Sequence, residues 1–190
     1  MTLYQNKYLT ESTRLKGYDY SLNGYYFITI CTKNRERLFG RVDNGIMILN
    51  VFGHIVQNCW MDLPNHYPNL RLDAFIIMPD HIHAIFVIEN DNAITTVETG
   101  LKPVSAIPSS QETGLKPVST NAKRHGLFEF VRAFKTFSSR RINELRKTPG
   151  TPVWQIRFYD HIIRDPDSLT KIQEYILNNP INWAIDTENP

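Results

Sequence analysis

The stretch from Leu72 to Ile88 constrains the fold more than any other part of the chain. Leu72 to Ile77 reads as a strand, Pro79-Asp80 is a turn signal, and His81 to Ile88 reads as a second strand. Strands this close in sequence are expected to pair as an antiparallel hairpin. A further run of high β propensity, Tyr25 to Thr32, follows Gly24. Two segments change the period. Over residues 49–63, Val51, Ile55, Val56, Cys59 and Trp60 fall at three- and four-residue spacing, and Pro64, Asn65 and Pro68 end the pattern. Over residues 124–146, Leu127, Val131, Phe134, Ile142 and Leu145 form a second helical stripe. Val153 to Tyr159 alternates like a strand, with Gln155 and Arg157 on one face. Asp165 caps and Pro166 opens a last helix, expected to run to Asn178 or Asn179 and stop near Pro180.

Residues 89–123 differ from the rest. They hold no Phe, Trp or Tyr in 35 positions, although aromatics make up 12% of the chain. They also carry a duplication: Glu98-Thr99-Gly100-Leu101-Lys102-Pro103-Val104-Ser105 recurs as Glu112-Thr113-Gly114-Leu115-Lys116-Pro117-Val118-Ser119. Two copies do not make a solenoid. A segment this polar buries too little to offset its ordering entropy. The expectation is one domain over residues 1–190 with a mobile insertion at 89–123.

A chain of 190 residues can fold without staples, and Cys31 and Cys59 alone build no disulfide framework. No run of about 18 apolar residues is present, and Met1 to Arg14 lacks the apolar core of a secretory signal. No membrane association and a cytoplasmic location are therefore expected. The net charge of +2 is small but unevenly placed. From Lys123 to Lys147 eight Lys/Arg stand against Glu129 and Glu144, a local balance of +6, so the remainder carries −4. Such concentration suits a helix that faces phosphates, and it also fits an ordinary solvated face.

The hairpin carries a candidate site. In a strand, residues i and i+2 point the same way, so the imidazoles of His81 and His83 share a face and can share a metal ion. A histidine pair alone is more often a hydrogen-bonded core pair or a surface pair. On the last helix, Tyr175 and Asn179 lie one turn apart on one face and could supply a phenol and an amide oxygen. Their plainer readings are a core tyrosine and a helix C-cap.

Together these motifs resemble the HUH (His-hydrophobic-His) single-tyrosine transposases, and within them the REP-associated tyrosine transposases. The matching residues are Met78-Pro79-Asp80-His81-Ile82-His83 and Tyr175-Ile176-Leu177-Asn178-Asn179-Pro180. Arg14 to Tyr20, Tyr26 to Thr32 and Trp154 to Arg164 support them in the right order. The resemblance covers residues 14 to 183 apart from the insertion, whose duplication departs from the family pattern.

The resemblance implies an α+β fold: a ferredoxin-like core with a central antiparallel sheet and helices packed on it. It implies a metal-dependent endonuclease and strand transferase on single-stranded or hairpin DNA, acting through a 5′-phosphotyrosine. By the same carry-over Tyr175 is the nucleophile, and His81, His83 and Asn179 hold Mg²⁺ or Mn²⁺. Related transposases place Gln at the offset of Asn179. Expected DNA contacts are Arg124, Lys135, Arg140 and Arg141 on phosphates, with Gln155, Arg157, His161 and Arg164 near the tyrosine helix. Trp154, Tyr159, Tyr18 and Tyr20 could stack on bases. The protein would act as a monomer or homodimer.

The alternatives are fewer. A non-catalytic nucleic-acid-binding domain of the same fold would tolerate loss of the phenol. A two-histidine phosphoesterase needs H-x-[ST] motifs, and no histidine here is followed at i+2 by Ser or Thr. A zinc site from Cys31, Cys59, His54 and His66 has no recognisable spacing. A plasmid replication or relaxase nuclease shares the histidine pair but not the Tyr-Ile-x-x-Asn-Pro ending. Tyr159 is the second candidate nucleophile.

Overall fold

The computed structural model describes residues 3–4, 7–8, 14–90 and 124–188, with side chains from 14 to 90 and 124 to 183. The duplicated segment expected to form an insertion lies outside the described residues. Near the N-terminus β1 (Leu3–Tyr4) and β2 (Lys7–Tyr8) form a short antiparallel ladder. The core then follows as β3 (Gly24–Cys31), a hairpin of β4 (Gly40–Asp43) and β5 (Ile46–Leu49), α1 (Val51–Met61), a short α2 (Leu63–His66), β6 (Leu70–Ile77), β7 (His81–Ile88), α3 (Leu127–Leu145), β8 (Tyr159–Ile163) and α4 (Pro166–Glu188).

Four strands make the central sheet in the order β6-β7-β3-β8, every neighbour antiparallel. Without the small β4–β5 hairpin the chain reads β-α-β-β-α-β, the ferredoxin-like arrangement. The expected α+β fold is thus the observed one. Period-two alternation divides the sheet into two faces. Tyr26, Ile28 and Ile30 of β3, with Ile82, Ala84 and Phe86 of β7, join Val56 and Trp60 of α1 and Phe130, Val131 and Phe134 of α3 in the main core. Trp60 anchors it, stacked on Phe75 and Phe86 at 4.6 and 4.5 Å. On the other face Phe27, Ile85 and Ile163 meet Ile176 of α4 in a smaller cluster. The strand β7 is buried along its whole length. Two polar positions on the α4 side, His81 and His83, are therefore held in apolar surroundings.

The structure departs from the sequence reading at two places. Residues 153–158 do not form a strand. Trp154 makes a single bridge to Thr32, and regular pairing begins only at Tyr159. The cause is a contact from α3: the Lys135 ammonium donates to the Gln155 and Ile156 carbonyls (2.5 and 3.0 Å), and Ile156 is 93% exposed. A side chain thus takes acceptors that a neighbouring strand would need. The last helix also does not stop at Pro180 but continues to Glu188. Pro180 removes one backbone donor and normally breaks a helix. Here it is buried, and α4 packs along β4, β5 and β6, which carries the helix past it. Among the described residues no helix is long and apolar enough to cross a membrane.

Candidate active site

Backbone register builds the site on the α4 side of the sheet. His83 pairs with Thr29 and His81 with Cys31 across β3–β7, and Thr29 pairs with Tyr159 across β3–β8. Paired residues share a face, so Thr29, Cys31, His81, His83 and Tyr159 all look the same way. Over this row lies α4, with Tyr175 and Asn179 one turn apart. A cleft of about 520 Å³ is lined by Thr29, Arg35, His81, His83, Tyr175, Asn179, Asn182 and Trp183. Its two histidines are each 5% exposed and Asn179 is 7%, while Tyr175 is 45% exposed. The imidazoles are thus sheltered without being sealed off.

Both rings are fixed from behind. His81 Nδ1 lies 2.5 Å from Asp80 Oδ1, and His83 Nδ1 lies 2.8 Å from the Thr29 hydroxyl. Phe27 stacks on His83 with ring centroids 5.6 Å apart. The carboxylate requires a proton on His81 Nδ1, which leaves Nε2 with its lone pair. His83 Nε2 stands 3.0 Å from that atom. When Thr29 accepts from His83 Nδ1–H, both Nε2 lone pairs are free and converge. Two such nitrogens 3.0 Å apart could both bind one cation. Burial above all, with the nearby Arg35 guanidinium, pushes the His83 imidazole down to about 3, so it is neutral and ligand-ready at physiological pH.

Among the described residues no three His, Cys, Asp or Glu side chains converge on a common point. A third ligand would have to be an amide, water or substrate oxygen, and the Asn179 carboxamide is buried at the same cleft. The donor set therefore fits a divalent cation that accepts nitrogen and oxygen, such as Mn²⁺ or Mg²⁺. The Tyr175 hydroxyl is 3.2 Å from His83 Nε2, with ring centroids 5.1 Å apart. A phenol and a buried imidazole nitrogen thus occupy one neighbourhood.

The other sequence candidates are more scattered. Tyr159 is exposed on the same face and meets Phe27 edge-on at 6.1 Å, but lines no part of the cleft. His161 and Arg164 line a smaller hollow at the β8 edge. Gln155 is half-buried beside Lys135, and Arg157 is exposed in the irregular segment. Arg124, Arg140 and Arg141 are exposed, but α3 packs on the opposite face of the sheet from α4. The basic helix and the histidine–tyrosine cleft are therefore on different sides of the molecule. Tyr20 and Trp154 are buried, Trp154 donating to Ser138 Oγ at 2.9 Å, so neither offers a face to a base. Sequence reasoning missed Thr29, Arg35, Asp80, Asn182 and Trp183. The register of Thr29 opposite His83 could have been found by aligning the two strand patterns, whereas Arg35 and Trp183 come from separate loop and helix positions that no local motif links.

No protein-family model matches the chain. It is 39% identical over 179 residues to an uncharacterized protein of Haemophilus influenzae, covering 93% of this chain and 91% of that one. A second Haemophilus influenzae protein, named "Putative REP-associated tyrosine transposase", is 26% identical over 165 residues, covering 86% and 73%. Among solved structures, the REP-associated tyrosine transposase bound to a REP hairpin superposes with a TM-score of 0.53 at 16% identity, over 89% of this chain and 74% of that one. That last likeness concerns the fold.

Proposed function

We propose that the chain is a REP-associated tyrosine transposase, as its likeness to the named Haemophilus influenzae protein supports, and that it cleaves and rejoins single-stranded DNA beside a hairpin, with Tyr175 as nucleophile. The observation that carries this reading is the 3.2 Å approach of the Tyr175 hydroxyl to His83 Nε2, in a cleft shared with His81 and Asn179. Hairpin DNA as the substrate class is taken from the solved relative that holds a REP hairpin.

In the proposed reaction the Tyr175 oxygen attacks a phosphodiester. An O–P bond to the phenol forms, the bond from phosphorus to O3′ breaks, the phenolic proton passes to solvent, and O3′ leaves as a hydroxyl after taking up a proton. The product is a 5′-phosphotyrosine, so a second 3′-hydroxyl can reverse the step without an external energy source. A divalent cation held by His81, His83 and Asn179 would supply Lewis-acid polarisation of the phosphate. The protein's own share is positional. Asp80 and Thr29 orient the imidazoles, Phe27 backs His83 and contacts the Tyr175 ring edge-on, and α4 sets the phenol against the cleft. The basic face of α3, on the far side of the sheet, would hold a different stretch of DNA from the one being cut.

The test is incubation with labelled hairpin oligonucleotides of randomised flanks and Mn²⁺, followed by a denaturing gel. Wild type and Tyr159→Phe are expected to give a covalent adduct, and Tyr175→Phe and chelator-treated wild type none. An adduct that survives in Tyr175→Phe but not in Tyr159→Phe transfers the role to Tyr159. DNA binding with no adduct from any variant favours the non-catalytic binding domain.

A further inference from the structure

Arg35 occupies a backbone conformation that few non-glycine residues adopt. Asn34 and Arg35 are consecutive left-handed residues, with φ of 56° and 57°. Such a turn persists when its surroundings over-determine it. Here the Thr32 N–H donates to Asp80 O (2.9 Å), and the Thr32 hydroxyl lies 2.8 Å from Glu36 O and 3.0 Å from Asp80 O. Lys33 N–H donates to Val153 O (2.7 Å), and Arg35 N–H to Thr32 O (3.1 Å). The turn after β3 is thereby lashed to the β6–β7 turn that presents His81.

The outcome is the placement of one guanidinium at the wall of the cleft beside His81, His83 and Tyr175. Arg35 Nε pairs with Asp80 Oδ2 at 3.1 Å, and Nη1 donates to Cys31 Sγ at 2.9 Å. Asp80 therefore divides its oxygens, Oδ1 to His81 and Oδ2 to Arg35, and sets the distance between imidazole and guanidinium. The Asp80 side chain is 7% exposed while that of Arg35 is 50% exposed. The cation is held at its base and open at its tip, where Nη2 has no acceptor among the described residues. A planar fork with spare donors suits a phosphate.

We propose that Arg35 binds a non-bridging oxygen of the scissile phosphodiester and offsets the charge that gathers there during strand transfer. The inference rests on the reading of this cleft as the strand-transfer site. As the bond from Tyr175 to phosphorus forms and the bond to O3′ breaks, the non-bridging oxygens carry the added negative charge. A donor aimed at developing charge acts more on the transition state than on ground-state binding.

The experiment compares wild type, Arg35→Gln and Arg35→Lys on the pool of hairpin oligonucleotides. It reads the rate of adduct formation, oligonucleotide affinity, Mn²⁺ affinity by titration calorimetry without DNA, and folding by thermal melting. Arg35→Gln is expected to form adduct about 100-fold more slowly while DNA affinity stays nearly constant. Arg35→Lys, which keeps the charge and loses the fork, recovers part of the rate and keeps the fold intact as a second variant. On a substrate whose scissile linkage is a neutral methylphosphonate, the advantage of wild type over Arg35→Gln should collapse in one stereoisomer. Mn²⁺ affinity should not change. A fall of about 10-fold or more in Mn²⁺ affinity would overturn the proposal, because Arg35 would then act through Asp80 and His81. Equal adduct rates for wild type and both variants would overturn it while leaving the strand-transfer reading intact. Absence of adduct from wild type itself would remove both.

Discussion

Lys135 shows how little a basic residue's type says about its task. In the sequence it belongs to a phosphate-facing stripe on α3. In the structure its ammonium is tied to the carbonyls of residues 155 and 156, in the irregular segment that precedes β8. Burial pushes its ammonium down to about 8 from 10.5. Between those values the unfolded chain keeps a proton that the folded one has released, so this residue's contribution to stability rises with pH across that window. Urea unfolding of wild type and Lys135→Met at several pH values measures it. The wild-type stability relative to the variant should climb from about pH 8 to pH 10, and a constant difference would mean that the ammonium titrates normally. His83 makes the complementary case. Its neutrality at ordinary pH comes from burial first and the nearby Arg35 guanidinium second, and it could not have been deduced from a His-x-His pattern.

At the scale of elements, regular periodicity was legible and everything set by a single distant contact was not. The β6–β7 hairpin, β3, α1 and α3 all appear where alternation or helical spacing placed them, within a few residues. The β4–β5 hairpin was overlooked although its Asn44-Gly45 turn carries a strong short-range signal, with both residues left-handed (φ 49° and 72°). The strand expected at 153–159 failed because Lys135, a helix residue, claims its carbonyls. The stop expected at Pro180 failed because tertiary packing of α4 outweighs one missing hydrogen bond. The histidine pair and the Tyr175–Asn179 spacing were readable from strand and helix periods, but their meeting across the sheet was not. How α1 seats is a further element-scale point. A β-carbon at Gly53 would lie 2.4 Å from Phe39 O and 2.9 Å from Leu49 Cδ2. Gly53→Ala is therefore expected to destabilise the fold by roughly 1–3 kcal/mol despite its better helix propensity. Denaturant unfolding checks the sign, and a more stable variant would mean that α1 is free to move away.

For the whole molecule the sheet acts as a partition, with the basic α3 on one side and the cleft on the other. The segment between β7 and α3 leaves and returns at one point: Asn69 Nδ2 bonds both Asn90 Oδ1 (3.0 Å) and His125 O (2.9 Å). Replacing residues 91–123 with a short Gly/Ser linker should therefore preserve the fold, with a melting temperature close to wild type and unchanged adduct formation. Loss of cooperative unfolding would assign the segment a structural role, and loss of adduct alone a role in DNA handling. The central claim is that the phenol of α4 becomes covalently joined to DNA in the cleft. Tandem mass spectrometry of the nuclease-trimmed, trypsin-digested adduct tests it most directly. A nucleotide is predicted on Tyr175, in the peptide that follows Lys171. A nucleotide on Tyr159, in the peptide between Arg157 and Arg164, or a modified peptide containing neither tyrosine, would contradict it.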